Sequence, residues 1–467
     1  MKHGKFTLTK LAATLSKAAA ATTIIFSASA FAVTENLETE TVKLGFIKLT
    51  DMAPLAVAFE KGFFEDEGLS VQVEAQANWK VVLDRVLSGE LDGAHMLVSL
   101  PFGAAIGYGT KGDIISALTL SSNGVAISVS NDVWKEMKPQ VPVKDGKPVH
   151  PIKADTLKPV LEKYKAAGKP FNMAMTFPVG PHNFKLRYWL AAGGINPGYY
   201  SPPQDTSGQI NAEALLSVTP PPQMPATLDA GTIVGFCVGE PWNQQVVFKG
   251  IGVPVIGDVE LMKNSTDKIF GVNKAWAEKH PNTHKALIKA LIRATMWLDA
   301  ENNKNRNEAV EMLSQSQYVG ADYNVIANSM NGTFEYEKGD KRSLPDFNVF
   351  FRYNSTYPYY SDAVWNLTQM RRWGQINEEK PDSWYLETAK KVYRPDIYMA
   401  AAKELIAEGK AKASDFPSDS ETGIKPPSAD FIDGITFDAT KPNDYLTKFP
   451  IGLKGKQKVA GGKVVEK

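Results

Sequence analysis

The sequence predicts an α/β protein of two lobes with a helical C-terminal extension, on three observations. Short apolar stretches of strand character alternate with helical ones from residue 42 to residue 129. The alternation lapses over 134–170, which is rich in Lys and Pro, and resumes from 171 to 272. Beyond 272 it stops, and amphipathic helical patterns with many aromatics take over. Strand–helix alternation builds mainly parallel sheets covered by helices, and 467 residues are too many for one ordinary core. Two such units side by side leave a cleft, and the loops at the carboxyl ends of their strands point into it.

In chain order, residues 42–49 read as a strand. A helix follows over 51–61, closed by Gly62, a residue suited to a left-handed cap. The alternating run 69–73 is a strand, 79–87 a helix, 93–98 a strand, and 114–120 and 125–129 two more strands around Asn123-Gly124. The second unit begins with a strand at 171–177 and a helix from His182 to Ala192 that stops at Gly193-Gly194. A polar excursion over 195–217 precedes a helix at 223–230, a strand at 233–238 and a helix opened by Trp242. Residues 268–272 are a short strand. Residues 281–300 form a long helix with Leu287, Leu291, Ala294 and Leu298 on one stripe and Pro281 at its start. Further helices are predicted at 361–373 and 384–391. The Pro-, Gly-, Lys- and Asp-rich end reads as a surface tail over 401–467.

The first 32 residues read as a secretory leader. Lys2, Lys5, Lys10 and Lys17 precede the apolar run 18–26, and small residues lead to a cleavage point after Ala32, with Ala30 as the alternative. The run is shorter than the roughly 20 residues that span a bilayer. The full chain carries net charge +1, and without the leader's lysines the balance turns weakly negative. That argues against a nucleic-acid or membrane surface. Cys237 is the single cysteine, which excludes an internal disulfide, a Cys-based metal site and a lipid anchor at the cleavage site.

Three loop–helix junctions carry candidate chemistry, because helix N-termini present unpaired N–H groups to anions. They are Ala77-Asn78-Trp79, Phe177-Pro178-Val179-Gly180-Pro181-His182 and Val238-Gly239-Glu240-Pro241-Trp242. Trp79 suits either a core or a flat wall for a planar ligand. His182 suits either a helix cap or a ligand contact, and Lys268 either solvent or a buried cation. Glu240 suits the partner of a cation or a metal ligand. No Gly-x-Ser-x-Gly elbow or phosphate-binding Gly-x-x-x-x-Gly-Lys loop occurs. No catalytic residue is assigned, and binding is favoured over hydrolysis or synthesis.

Several motifs carry a resemblance to a known family. Ala58–Phe64 with Gly68-Leu69, and Leu87–His95, resemble taurine-, sulfonate- and nitrate-type periplasmic binding proteins. Phe177–His182, Arg187–Pro197, Pro220-Pro221-Pro222-Gln223-Met224 and Phe236–Asn243 narrow this to the nitrate- and bicarbonate-binding proteins of ABC importers. The resemblance spans about residues 41–400. It implies a type II periplasmic-binding-protein clamp whose first lobe is built from 41–125 and completed by 268–400, with a second lobe over 126–267. The family's anion contacts, carried onto matching motifs, fall on Trp79, His182, Pro222, Gly239 and Lys268. Where the family places a Gln after Asn-Gly, this chain has Val125.

The resemblance further implies a periplasmic monomer that captures nitrate, and nitrite with it, and hands it to the permease of an ABC importer. No cofactor or metal is implied. In the bicarbonate branch an acidic residue assisted by calcium replaces the lysine of the return strand, so Lys268 implies nitrate. A bicarbonate or alkanesulfonate ligand and a sensory role are the alternatives.

Overall fold

A computed structural model describes residues 36–453 and the backbone of two short paired strands, Lys458–Ala460 and Lys463–Val465. The leader read over 1–32 lies outside the described residues. Lobe 1 is a six-stranded sheet in the order Asn348–Val349, Ile114–Asn123, Thr266–Asn273, Gly93–Leu97, Thr41–Phe46, Ser70–Ala75. Lobe 2 is a five-stranded sheet in the order Leu215–Val218, Asn172–Met175, Gly235–Gly239, Val125–Ser130, Gly252–Gly257. In each sheet the three strands joined through helices are parallel. The strand that enters each lobe across the hinge, Val125–Ser130 or Thr266–Asn273, runs antiparallel to both of its neighbours. The sheets are therefore mixed, because a strand arriving directly from the other lobe has no helical crossover to turn it. The edge strand Leu215–Val218 lies within what reads as a polar excursion; its short, half-exposed pattern gives little periodicity.

Local signals place the helices that flank the cleft. Asn78 Oδ1 accepts the Val81 N–H at 3.0 Å and starts the helix Trp79–Ser88, which Gly89 ends at φ 79°. Pro181 supplies the first turn of Pro181–Ala192. The chain crosses between lobes at Asn123-Gly124, with φ 61° and 79°, and again over residues 258–266. A Cβ at Gly124 would lie 2.2 Å from Asn348 Oδ1, so both dihedral and space demand glycine there.

Two cores hold the molecule. One packs the helices Ala53–Glu60, Pro281–Asp299 and Pro395–Ala407 on the outer face of the lobe 1 sheet. The other runs from Ile47, Leu49 and Trp79 through lobe 2 to the helices Tyr360–Arg372 and Asp382–Val392. The resemblance places all of 268–400 with lobe 1; the structure divides it. Trp365 lies 6.3 Å from Tyr188 of lobe 2, Arg372 stacks 5.1 Å over the Tyr188 ring, and Gln375 Nε2 donates to Pro178 O at 2.8 Å. The 401–467 surface tail is also corrected. Ala401, Ala402 and Leu405 are core residues, and Tyr445, Leu446, Phe449 and Leu453 are buried, with Phe449 under the Arg372 guanidinium at 3.6 Å. A few large aromatics outweigh a polar composition, since each buries enough apolar area to anchor a segment.

Candidate functional site

The cleft is built around the strand Thr266–Asn273, which returns the chain to lobe 1 and carries two adjacent ionic side chains, Asp267 and Lys268, both fully buried. Lys268 Nζ donates to Asp51 Oδ2 at 2.7 Å and to Asp267 Oδ2. Asp51 sits in the 3-10 turn Thr50–Met52, just before the helix Ala53–Glu60. His95, from the strand Gly93–Leu97, donates from Nε2 to Asp51 Oδ1 at 2.6 Å. That tautomer follows from its other nitrogen, because the Ile47 N–H points at His95 Nδ1 at 3.4 Å. From lobe 2, Lys185 Nζ reaches Asp267 Oδ1 at 3.3 Å and Asp258 Oδ2 at 2.7 Å.

The charge states follow from these contacts. Burial is the largest influence and pushes the Asp51 and Asp267 carboxyls up, but Lys268, together with His95 at Asp51 and Lys185 at Asp267, outweighs it, and both remain below the usual carboxylate range. Burial pulls Lys268 down, yet Asp267 and Asp51 carry it above the ordinary lysine value. For His95, burial dominates over the Asp51 charge and holds the imidazole neutral, its pKa lowered. His182 is pushed down to about 3 by burial and His284, outside the cleft, to about 4.

Four of the five residues named from the sequence converge here. Trp79 is fully buried with Lys268 Nζ 5.7 Å from its ring centre and the His95 ring 5.4 Å away. His182 places Nδ1 3.0 Å from Thr176 Oγ1 and Nε2 3.7 Å from Asp267 Oδ2. A Cβ on Gly239 would meet Asp51 Oδ2 at 3.0 Å, so glycine lets the lobe 2 backbone approach that carboxylate. Pro222 does not join them. It is exposed in the turn Pro221–Gln223, and Pro221 is the buried member of that run. Glu240, read as the partner of a cation or a metal ligand, makes a hydrogen bond within its own loop–helix junction instead. It is buried, its Oε2 accepts the Gln244 N–H at 3.1 Å at the start of the helix Trp242–Lys249, and burial raises its pKa to about 8. Among the described residues no group of three or more His, Cys, Asp or Glu side chains is placed to hold a metal ion.

The cleft is laced shut across the lobes. Thr50 N donates to Glu240 O at 2.7 Å, Trp242 Nε1 to Lys48 O at 3.0 Å and Ser99 Oγ to Val179 O at 3.3 Å. Two buried ring nitrogens inside have no hydrogen-bond partner, Trp79 Nε1 and His182 Nε2, the second a donor in the tautomer whose Nδ1 accepts from Thr176 Oγ1. All four oxygens of Asp51 and Asp267 are engaged by His95, Lys268 and Lys185. Around Lys268 the arrangement thus offers donors and withholds the oxygens of Asp51 and Asp267; the buried carboxylate oxygens Asp258 Oδ1 and Glu240 Oε1 have no hydrogen-bond partner. An alignment-free reading of the sequence misses Asp51, His95, Asp267 and Lys185. His95 closes the Leu87–His95 motif, and a buried strand bearing Asp-Lys is itself unusual enough to mark Asp267.

The comparisons agree with this architecture. Residues 35–314 match the NMT1-like family. The nitrate/nitrite binding protein NrtA of a Nostoc species is 35% identical over 423 residues, 89% of this chain and 87% of that protein. The chain belongs to the NMT1-like family, in the branch that holds the nitrate-binding and bicarbonate-binding proteins of ABC importers. The bicarbonate-binding protein CmpA of Synechococcus elongatus is 29% identical over 433 residues, covering 89% of this chain and 88% of its own. The crystal structure of the periplasmic nitrate-binding protein NrtA from Synechocystis superposes with a TM-score of 0.77 at 31% identity, covering 89% of this chain and all of that one. The fold is therefore that of the periplasmic binding proteins, and these relatives are solute-binding transport proteins. Among the described residues no helix is long and apolar enough to cross a membrane.

The neutral histidines make acid stability measurable. Each is neutral in the fold and binds a proton near pH 6.5 when unfolded. Their contribution is complete above that pH and is lost as pH falls toward the folded values of about 3 and about 4. Each such ring is expected to cost about 2 kcal/mol of unfolding free energy between pH 7 and pH 5, opposed in part by Glu240, whose raised carboxyl gains stability over the same range. His284→Phe, remote from the cleft, should remove one ring's share, so its urea-unfolding free energy should fall less steeply with pH than that of the wild type. The same pH slope in His284→Phe as in the wild type would contradict the assignment.

Proposed function

We propose that the protein is the periplasmic solute-binding component of an ABC importer, that it captures nitrate, with nitrite as a second ligand, and that it delivers the anion to the importer's permease. The observation that carries this reading is the pair of unpartnered buried ring nitrogens, Trp79 Nε1 and His182 Nε2, beside Lys268, where the oxygens of Asp51 and Asp267 are already engaged. Such a site suits a ligand that only accepts hydrogen bonds. Nitrate is planar, singly charged and without a proton to donate. Lys268 supplies the third N–H of its ammonium, Trp79 its indole N–H and a flat edge, and His182 its Nε2–H. Bicarbonate carries an O–H that needs an acceptor, and the oxygens of Asp51 and Asp267 are occupied. Lys268 also repels a calcium ion. Val125, buried beside the hinge, contributes no hydrogen bond.

Calorimetric titration of the leaderless protein with nitrate, nitrite, bicarbonate plus calcium, and taurine tests the reading. Nitrate and nitrite are expected to saturate one site per chain. Saturation by bicarbonate or taurine and not by nitrate would overturn it. Trp79→Phe keeps the ring and removes the donor, so nitrate affinity should fall by about 1.5–3 kcal/mol, roughly ten- to hundredfold. An unchanged affinity in Trp79→Phe would remove Trp79 from the site.

A further inference from the structure

We propose that the cleft takes up a proton together with its anion, and that His182 is the group that carries it. The proposal rests on the nitrate reading and adds a coupled reaction to it. The groups in contact around the site are three carboxylates, Asp51, Asp258 and Asp267, and two ammoniums, Lys185 and Lys268. With both imidazoles neutral this cluster already carries one excess negative charge, and a bound monoanion adds a second in a space closed to water. Burying an uncompensated charge costs several kcal/mol. A proton on a nearby base removes that cost.

Two bases face the cluster, and their contacts distinguish them. The Nδ1 of His95 accepts from the Ile47 N–H, so a proton placed there would oppose a backbone donor. Its Nε2 already donates to Asp51. The Nδ1 of His182 faces the hydroxyl of Thr176, which accepts as readily as it donates. Turning that hydroxyl lets Nδ1–H donate to Oγ1, while Nε2–H stays free for the anion. No bond between heavy atoms changes. The imidazole lone pair takes a proton from solvent, and the imidazolium faces both the ligand and Asp267 at Nε2, which lies 3.7 Å from Asp267 Oδ2.

The surroundings set the direction of the coupling. Asp267 and Asp51 of lobe 1 favour the charged ring, while Lys268 on the return strand and Lys185 on its own helix oppose it. Asp258 faces Lys185, and Cys237 is buried beside that cluster with its thiol pushed up by burial. Burial is the largest influence and keeps the ring neutral without ligand. An anion at Nε2 adds the attraction that opposes burial. Arg187, on the same helix, turns away to the carbonyls of Pro197, Gly198 and Gly208 and leaves the balance unchanged.

The test is calorimetric titration with sodium nitrate at fixed pH in buffers of different ionisation enthalpy, repeated from pH 8 to pH 5. Proton uptake should be positive and grow as pH falls. The dissociation constant should fall with pH, by up to about tenfold per unit where uptake is complete. Nitrate saturation with no proton exchange at any pH overturns the proposal and leaves the ligand reading intact. Absence of nitrate saturation at every pH overturns both. In His182→Gln, which keeps a donor, binding should persist more weakly with no uptake; undiminished uptake in that variant would assign the proton elsewhere and overturn the role of His182. The nitrogen chemical shifts of the His182 imidazole in the wild-type protein give a second readout. Both nitrogens should be protonated in the nitrate-loaded protein at pH 5, and a neutral ring there overturns the proposal.

Discussion

Lys268→Met is expected to abolish nitrate binding and to lower the stability of the ligand-free protein by about 3–5 kcal/mol. The side chain is fully buried between Asp51 and Asp267, and methionine fills similar volume without charge. Two carboxylates would then face each other across the site with His95 and Lys185 as their remaining donors. Their pKa values, now held down by Lys268, should rise. One of them should take up a proton near neutral pH, as closely spaced carboxylates do. Calorimetry reads the loss of binding, and urea unfolding at pH 7 reads the loss of stability. Full nitrate affinity in this variant would exclude Lys268 as the anion's cation. An unchanged unfolding free energy would show that the ion pairs are stability-neutral in their buried setting. Adding the substitution Asp267→Asn should restore part of the stability and none of the binding, because it removes one unpaired carboxylate without returning a cation.

Asp299→Ala should destabilise the fold by about 3–5 kcal/mol while leaving nitrate affinity in the surviving folded protein close to wild type. Asp299 ends the helix Pro281–Asp299, and its Oδ2 accepts the N–H groups of Phe350, Phe351 and Arg352 at 3.0, 2.7 and 2.9 Å. Its Oδ1 accepts from Arg306 at 2.6 Å, and the buried Arg306 also donates to the carbonyls of Leu298, Met330 and Asn348. Removing the carboxylate leaves a buried guanidinium without its counter-charge and three backbone donors without an acceptor. Asn348 pairs with Asn123 at the hinge, so this network fixes the edge of the lobe 1 sheet where the chain crosses. Urea unfolding and calorimetry on the same preparation separate the two effects. A loss of binding larger than the loss of folded protein would place Asp299 in the binding process.

The sequence by itself determined the alternation that makes two α/β units, the two crossings and the position of the return strand. These follow from local pattern: the period of apolar residues, the Asn-Gly pair at 123–124, and the Pro and Gly that start and stop the helices. The resemblance of its motifs to the nitrate- and bicarbonate-binding proteins singled out Trp79, His182, Pro222, Gly239 and Lys268, whereas residue type and position alone left Trp79 open between core and ligand wall and Lys268 between solvent and a buried cation.

The tertiary structure alone decided what surrounds them. Asp51 precedes Lys268 by more than two hundred residues, and no local pattern tells that their side chains meet at 2.7 Å. Pro222 was indistinguishable from Pro221 within the run Pro220-Pro221-Pro222, and only the packing of the turn exposes one and buries the other. The polar tail was misread for the opposite reason. Composition averages over a segment, whereas Tyr445, Leu446 and Phe449 anchor it individually against Tyr188 and Arg372. A charge is costly or cheap only by virtue of its neighbours and its access to water. That Lys268 is a buried, paired cation and not a solvated lysine is therefore decided by the packing where the two lobes meet.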